Sequence, residues 1–374
     1  MKVSPDYLNS LFAPIIEEYE GFEIGAFETL VDEFSKIVER VGDDPVAWQI
    51  EATNATPRIA KQLQDKLDGA QRRARNMADS QVKRASEEVQ RDTDRYFTAQ
   101  GKDLMPLSLG VADKRYLADL LGNLNNGLPY LGLAQRNVSP ALMRYVKQVT
   151  QQATANIVGG NKTVSQGVTD VLMKWADRGI PSEFVDAGGN VWDTGSYARM
   201  VTRTATANIY NEERTRRMAE YDCHTVLVSS KPKARPACAP IQGKVVDVRP
   251  PEQADSGYPS VYDYGYGEPA GHRGCNCGHQ WFPFIDGVNI NNQRYYEPEQ
   301  AIKNEQIEQE RKALARAIKR TKKRLGVADK MGNQQEAERL KRLLGRQSQR
   351  MNEFVKAHGL KRRYDLEKVE LEQE

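Results

Sequence analysis

The sequence contains few of the residues that build disulfide frameworks. Only four cysteines and four histidines occur among 374 residues. Four cysteines are too few to cross-link a chain of this length, so the architecture of a small disulfide-rich secreted protein is excluded. We therefore expect reduced cysteines.

Long apolar runs are also missing. No stretch approaches the roughly 20 apolar residues that a helix needs to cross a bilayer. The opening stretch MKVSPDYLNSLFAPIIEEYE lacks an uninterrupted apolar segment and becomes acidic where a signal peptide stays apolar. We therefore predict no membrane-spanning segment, and synthesis in a reducing cytoplasm.

Charge is abundant and unevenly distributed. Charged residues make up 28% of the chain and hydrophobic residues 39%, a mixture that indicates long solvent-exposed helices attached to a modest core. Residues 1–60 contain four basic and twelve acidic side chains, whereas residues 298–363 contain nineteen basic and eight acidic ones. The two ends therefore carry electrostatic fields of opposite sign. Such fields indicate which partners the protein attracts and do not indicate its fold.

Helical periodicity dominates most of the sequence. Apolar residues recur at helical spacing, and several of the segments are thinly apolar, which is typical of helices that pack along one narrow stripe. Breaks are expected near Gly326 and Gly332. The pattern predicts helices over residues 5–41, from about 56 to 95, over 197–221 and from 297 to about 357.

One region has strand character instead. The segments HTVLVSS (224–230), GKVVDV (243–248) and GHQWFPF (278–284) are typical of strands, and the connection before the third is rich in glycine and tyrosine. The predicted fold is therefore mainly α with a central α+β module. Long polar N-terminal and C-terminal helices flank a small sheet with an irregular Gly/Tyr-rich loop.

These features divide the chain into four segments. The sequence predicts an N-terminal helical region over 1–100, a helical and loop region over 101–196, the α+β module over 197–296 and a basic C-terminal helical arm over 297–374.

The stretch GHRGCNCGHQW, residues 271–281, places two histidines and two cysteines within eight positions. Its glycines let the backbone bend tightly enough for neighbouring side chains to converge. Zinc takes four thiolate or imidazole ligands in a tetrahedron, so zinc is the expected metal. The candidate ligands are His272, Cys275, Cys277 and His279, joined by Cys238 from the turn ARPACAP.

Two other interpretations of this cluster stay open. The stretch has a C-x-C but no C-x-x-C pair, which is tighter than the usual zinc spacing, so small buried thiols and a turn histidine could simply pack together. A cysteine and a histidine could also form a catalytic pair, although that chemistry requires an oxyanion hole and a cleft that the sequence does not indicate.

The run RKALARAIKRTKKRLG is the strongest electrostatic signal. On a helix its basic residues cover most of the circumference, and each phosphate contact releases roughly 0.9 counterions, so DNA binding would depend steeply on salt. An acidic protein surface, such as residues 1–60 of another copy, is the alternative target. The candidate residues for either partner are Arg311, Lys312, Arg316, Lys319, Arg320, Lys322, Lys323 and Arg324.

The predicted helix at 197–221 carries a second set of basic residues. An arginine that precedes a threonine, such as Arg203, occurs in some nucleotide-binding sites, so an ADP-ribosyl transferase-like site is one interpretation. No downstream pair of glutamates completes it, and a solvated or phosphate-contacting face is the other interpretation. The arginines are Arg199, Arg203, Arg214, Arg216 and Arg217.

Two turn motifs carry a resemblance to a known family. ARPACAPIQGK at 234–244 and GCNCGHQWFPF at 274–284, followed by a charged helical tail, resemble the phage minor capsid protein family and, more distantly, the Mu F-like head-morphogenesis proteins. The resemblance covers roughly residues 135–350 and does not reach the acidic residues 1–60. The sequence departs from the family pattern at two positions. The pattern has no cysteine at the position of Cys275, and it has histidine at the position of Cys238, where cysteine can still bind zinc.

The resemblance implies a non-enzymatic structural protein of a tailed-phage head. Expected partners are portal or major capsid subunits and genomic DNA, and the expected location is the virion after synthesis in the host cytoplasm. Roles in head assembly, DNA packaging or DNA delivery follow from the same resemblance. The alternatives are an injected effector enzyme, ADP-ribosyl transferase-like or thiol-dependent, and a zinc-stabilised DNA-binding module.

Overall fold

The computed structural model describes residues 3–104, 111–127, 140–158, 162–185, 189, 191–268, 270–274 and 277–369. Helices account for most of this part of the chain, as expected. The helices are α1 (Pro5–Val41), α2 (Pro45–Thr98), α3 (Val111–Gly127), α4 (Pro140–Val158), α5 (Val164–Arg178), α6 (Thr194–Glu220), α7 (Pro298–Lys330) and α8 (Gln334–Ala357). The strands are β1 (Pro181–Val185), β2 (Val191–Asp193), β3 (Thr225–Val228), β4 (Val245–Asp247) and β5 (Trp281–Pro283).

The chain folds into two compact units, each assembled from three separate stretches. The sheet unit comprises Met1–Glu17, Arg73–Leu124 and Ala198–Ile307, and the helical unit comprises Glu18–Arg72, Asn125–Tyr197 and Glu308–Glu374. The division into four consecutive segments stays a prediction. No helix in the described ranges combines the length and the apolarity needed to cross a membrane.

The three predicted strands form one antiparallel sheet in the order β4-β3-β5. The middle strand places Leu227 opposite Val245 on one side and opposite Phe282 on the other. Buried side chains from the sheet, including Trp281, pack with Phe97 of α2 and Met218 of α6. The predicted mainly α fold with a small central sheet is therefore confirmed.

Buried ion pairs connect α2 and α6 within the sheet unit. Nη2 of Arg214 lies 2.9 Å from Oδ2 of Asp92, and Nε of Arg217 lies 2.6 Å from Oδ1 of Asp94. Tyr221 also donates to Asp94 over 2.9 Å. Because each buried charge has an opposite charge beside it, this polar layer is compatible with the surrounding apolar core.

The helical unit has its own core, contributed by α1, α2, α4, α5, α7 and α8. Phe34 and Trp48 meet edge to face there, with ring centroids 5.5 Å apart. Charge complementarity adds to the packing: Lys330 of α7 lies 3.5 Å from Asp32 of α1. The acidic N-terminal helix thus already pairs with the basic arm of the same chain.

Two predicted boundaries are wrong. The second helix begins at Pro45 rather than near residue 56, because Asp44 caps it by accepting the amide of Val46 over 2.9 Å, and Pro57 is tolerated inside it. The expected break near Gly326 does not occur, since α7 continues to Lys330. A glycine costs a helix only about 1 kcal/mol, and burial of the following apolar side chains in the helical core outweighs that cost.

Candidate metal centre

A cysteine and histidine cluster lies in the sheet unit. Cys238, His272 and Cys277 bring one sulfur or ring nitrogen each within 4.8 Å of one another. The two sulfurs are 3.6 Å apart, and Nδ1 of His279 lies 3.5 Å from the Cys277 sulfur. The structure thus brings three of the five predicted ligands into one group, a fourth, His279, contacts Cys277, and Cys275 lies outside the described residues.

A tight turn between β3 and β4 positions Cys238. Its amide donates to the carbonyl of Arg235 over 2.8 Å, and its own carbonyl accepts the amide of Gln242 over 3.2 Å. The turn ends at Gly243, whose φ of 74° lies in the left-handed region that favours glycine. This backbone fixes the direction of the Cys238 side chain independently of any ligand.

A compact loop positions His272. Its amide donates to the carbonyl of Tyr264 over 2.9 Å, at the end of a 3₁₀ turn that Ser260 caps. The preceding Gly271 approaches the backbone of Gly265 so closely that a Cβ atom would lie 1.8 Å from the Gly265 oxygen. Glycine is therefore required at 271 for the loop to bring the imidazole to the cysteines.

Hydrogen bonding sets the tautomer of His279. Its Nε2 lies 3.2 Å from Oε1 of Gln242, and the same oxygen accepts the amide of Lys231 over 3.0 Å. Because an amide oxygen only accepts, Nε2 of His279 carries the hydrogen. The lone pair on Nδ1 then points to the sulfur of Cys277, which is the form of histidine that binds metals.

His272 has a different environment. Trp281 donates from Nε1 to Nε2 of His272 over 3.1 Å, so Nδ1 bears the hydrogen in the neutral ring. Burial lowers the pKa of His272 to about 3, which keeps the ring neutral. Among the described residues, Nδ1 is buried and has no hydrogen-bond partner. Ligation through Nδ1 would move the hydrogen to Nε2 and leave the buried Trp281 and His272 donors facing each other, at a cost of about 1–3 kcal/mol for each unsatisfied donor; structural zinc contributes about 10–16 kcal/mol.

Two arginines make the surroundings of the sulfurs positive. Nη2 of Arg235 lies 3.9 Å from the Cys238 sulfur. The hydrogen bond with Cys238 lowers the pKa of Cys277 far below its usual range, with further lowering from the Arg273 charge. The same hydrogen bond, together with burial, raises the pKa of Cys238. The charges of Arg235 and Arg273 favour the thiolate form at Cys238 and at Cys277, respectively.

The buried guanidinium of Arg273 is unusual. It lies 5.4 Å from the ring centroids of both Tyr210 and Trp281, a cation–π arrangement. Within the described residues its three nitrogens have no hydrogen-bond partner. Burial lowers the pKa of Arg273, and the neighbouring Cys277 opposes that change. The guanidinium therefore provides positive charge beside Cys277.

The predicted basic residues of α7 lie in the helical unit and are unequally available. Arg311 is buried beside Glu308, and Arg324 donates from Nε to Asp177 over 2.8 Å. Lys322 donates to the carbonyl of Glu367 over 3.1 Å. The others are exposed or half-buried: Arg316 and Arg320 are exposed, and Lys312, Lys319 and Lys323 are half-buried.

Three further basic residues, all on α8, were not selected from the sequence. Arg342, Arg346 and Arg350 are exposed and follow one another at intervals of four residues. This spacing places them on one face of the helix. Their four-residue spacing is visible in the sequence and could have identified them. The denser run of basic residues on α7 was selected instead.

Several residues around the candidate metal ligands could not be identified from the sequence. Gln242 and Trp281 orient the two histidines, and Arg273 supplies charge, yet only the folded loops bring them there. On α6, Arg214 and Arg217 are buried in ion pairs with α2 rather than facing solvent or a nucleotide.

These features define a helix-dominated protein with a small sheet module that carries cysteines and histidines. The chain belongs to the family described as phage minor capsid protein 2, whose model matches residues 3–356. The match also includes residues 3–60, which the two turn motifs left unassigned.

Two phage proteins are similar to the chain. A structural protein of Lactococcus phage LL-H is 28% identical over 352 residues, which cover 91% of this chain and 95% of the relative. A structural protein of Lactococcus phage mv4 is 36% identical over 113 residues, which cover 30% of this chain and 92% of the relative. No solved structure matches the chain.

Proposed function

We propose that the protein is a non-enzymatic, low-copy component of the head of a tailed bacteriophage. The match to the minor capsid protein family over residues 3–356 carries this proposal. Two similar phage proteins are named structural proteins, which supports a place in the virion after synthesis in the host cytoplasm. The finer assignment is to the portal vertex, in contact with portal or major capsid subunits.

Two sets of internal contacts bear on the enzymatic alternatives. Arg214 and Arg217 would have to leave buried carboxylates before they could contact a nucleotide. Cys277 lies against Cys238 and His279, an arrangement that suits a structural cluster as well as a nucleophile. In the proposed role, the cluster holds loops in place and performs no chemistry on a substrate.

We propose that the basic arm contacts DNA during packaging or delivery. Arg316 and Arg320 of α7 and the three exposed arginines of α8 carry this role, while Arg311 stabilises the fold. Lys330 of the arm already pairs with Asp32 of its own chain, which makes the acidic region of another copy a weaker candidate partner. Exposed arginines spaced along one helix suit phosphates, which are contacted without reading base sequence.

The DNA contact predicts a defined salt dependence. Replacing Arg342, Arg346 and Arg350 by glutamine should reduce the slope of log K against log salt by about three units for duplex DNA, since each lost phosphate contact removes about one unit. The measurement is fluorescence anisotropy with a labelled duplex between about 50 and 200 mM salt.

A matched control is available on α2, where Arg72, Arg75 and Lys83 are also exposed. Replacing these three by glutamine changes the net charge equally and should leave most of the slope in place. Equal slopes for the two triple variants, or no measurable affinity of the wild-type protein for DNA, would contradict the DNA assignment and favour an acidic protein partner.

A further inference from the structure

Two distances in the cysteine and histidine cluster match edges of a tetrahedral zinc site, and the ligand atoms of Cys238, His272 and Cys277 lie within 4.8 Å of one another. With Zn–S near 2.3 Å and Zn–N near 2.05 Å, two sulfur ligands lie about 3.8 Å apart, and a sulfur and a nitrogen lie about 3.6 Å apart. The Cys238 and Cys277 sulfurs are 3.6 Å apart, and Nδ1 of His279 is 3.5 Å from the Cys277 sulfur. Two edges of the tetrahedron therefore already exist.

The nitrogen atoms provide an independent observation. Nδ1 of His272 is buried and has no partner in the described part of the chain, although the ring is fixed by Trp281. The lone pair of His279 faces Cys277 because Gln242 holds the opposite nitrogen. A bound cation would provide a partner for both nitrogens. Gln242 gives His279 the carbonyl-type acceptor that usually supports a metal-binding histidine, whereas His272 would have to give up the bond from Trp281 and carry its hydrogen on Nε2.

The chemical types of the four ligands indicate which metal ion the site binds. Two cysteines and two histidines form a soft, mixed sulfur and nitrogen set, which favours zinc over calcium or magnesium. The positive charge of Arg235, 3.9 Å from the Cys238 sulfur through Nη2, stabilises the thiolate form that zinc requires. All four side chains extend from short turns and loops whose own hydrogen bonds fix them.

We infer that Cys238, His272, Cys277 and His279 bind one structural zinc ion per chain. The ion joins the turn before β4 to the segment before β5, and so holds the irregular loop against the sheet. This inference concerns the sheet unit alone and does not depend on the proposed capsid role, which would stand if zinc were absent.

The test is the zinc content and zinc-dependent stability of the full-length protein. Protein produced with zinc in the medium and purified without chelator should contain about one zinc per chain by mass spectrometry of the metal. Exchange into cobalt should give the visible absorption of tetrahedral cobalt with thiolate ligands. Removal of zinc from the wild-type protein should lower the melting temperature, and addition of zinc should restore it.

Variants identify the ligands. Cys238→Ser and Cys277→Ser should each lose the metal, whereas Cys223→Ser should keep it, because that buried thiol lies within hydrogen-bonding distance of the carbonyls of Thr225 and Phe284 instead. Gln242→Leu should weaken zinc affinity by about 10- to 100-fold, as expected for loss of the group that orients a ligand. Affinity would be measured by competition with a chromophoric chelator.

Three results would overturn the inference. One is wild-type protein without zinc that gains no stability from added zinc. Another is equal zinc content in the Cys223→Ser and Cys277→Ser variants. The last is a thiol titration showing that Cys238 and Cys277 form a disulfide under conditions in which zinc is present. Removing zinc from the wild-type protein and adding it back tests the inference even if a cysteine variant fails to fold.

Discussion

Replacing Arg214 by methionine should lower the free energy of unfolding by about 3–5 kcal/mol, because it removes the buried counter-charge of the Asp92 carboxylate and leaves the exposed Arg95, whose Nη2 lies 3.7 Å from Oδ1, as a weaker one. The Arg214 side chain is 0% exposed and that of Asp92 3% exposed. Arg214 also donates from Nη1 to the Tyr210 hydroxyl over 2.7 Å and to the Trp281 carbonyl over 3.1 Å. The loss would be measured by urea unfolding followed by circular dichroism.

Two comparisons separate this mechanism from a general effect of mutation. Arg203→Met changes an exposed arginine of the same helix and should cost no more than about 1 kcal/mol. Replacing Arg214 and Asp92 together, by methionine and leucine, should recover much of the loss because no unpaired charge remains. A double variant as unstable as Arg214→Met would contradict the explanation.

The stability of the helical unit should fall as the pH rises from about 4.5 to about 8, and Glu23 is the cause. Oε2 of Glu23 accepts the amide of Gly195 over 3.1 Å, at the start of α6. A Cβ atom on Gly179 or Gly195 would lie 2.3 or 2.8 Å from a Glu23 carboxyl oxygen, so these glycines leave room for the side chain. Burial, reinforced by the charge of Asp193, raises the pKa of Glu23 to about 8.

The sign of the effect follows from the two states of the carboxyl group. Below about pH 4.5 the group is protonated in both the folded and the unfolded chain, and its contribution to stability is complete. Above that pH the unfolded chain releases the proton and the folded chain retains it until about pH 8. The cost is about 1.4 kcal/mol per pH unit, and partial exposure of the side chain reduces the total to about 3 kcal/mol.

Glu23→Gln should remove most of this pH dependence. Glutamine keeps the shape and an oxygen that accepts the Gly195 amide, so the variant should be more stable than the wild type at pH 8.5 and similar to it at pH 5. Melting temperatures at the two pH values check the prediction. Glu39→Gln, at an exposed position of the same helix, should leave the wild-type dependence unchanged. Parallel profiles for the wild type and Glu23→Gln would refute the assignment.

Local pattern was sufficient for the three strands of the central sheet and for most helices, but it did not identify β1 and β2 as strands. Alternating and β-branched residues in HTVLVSS and GKVVDV predicted β3 and β4. The buried residues of a strand lie close together in the sequence, so a short pattern is enough to identify it. Helix boundaries were harder to predict from the sequence. Pro57 is typical of a helix start, but α2 begins earlier because Trp48 and Ala52 are buried in the helical core. Such long-range packing overrides a local preference.

The candidate site was accessible only in part. The dense spacing of GHRGCNCGHQW and the turn around Cys238 indicated candidate ligands, and the structure groups three of them, Cys238, His272 and Cys277. The groups that orient and polarise them, Gln242 and Arg273, carry no distinguishing pattern in the sequence. The acidic Glu23 reads as one of many surface charges, and only the fold shows that it lies beside Asp193. Pairings between distant stretches follow from the tertiary structure.

Cross-linking mass spectrometry on purified intact particles tests the capsid assignment most directly. The account predicts that the protein is present at low copy number in heads freed of tails and that its cross-links lead to portal or major capsid subunits. Cross-links from α8 to DNA would extend the same result to the basic arm. Purified heads and proheads that lack the protein altogether would contradict the account.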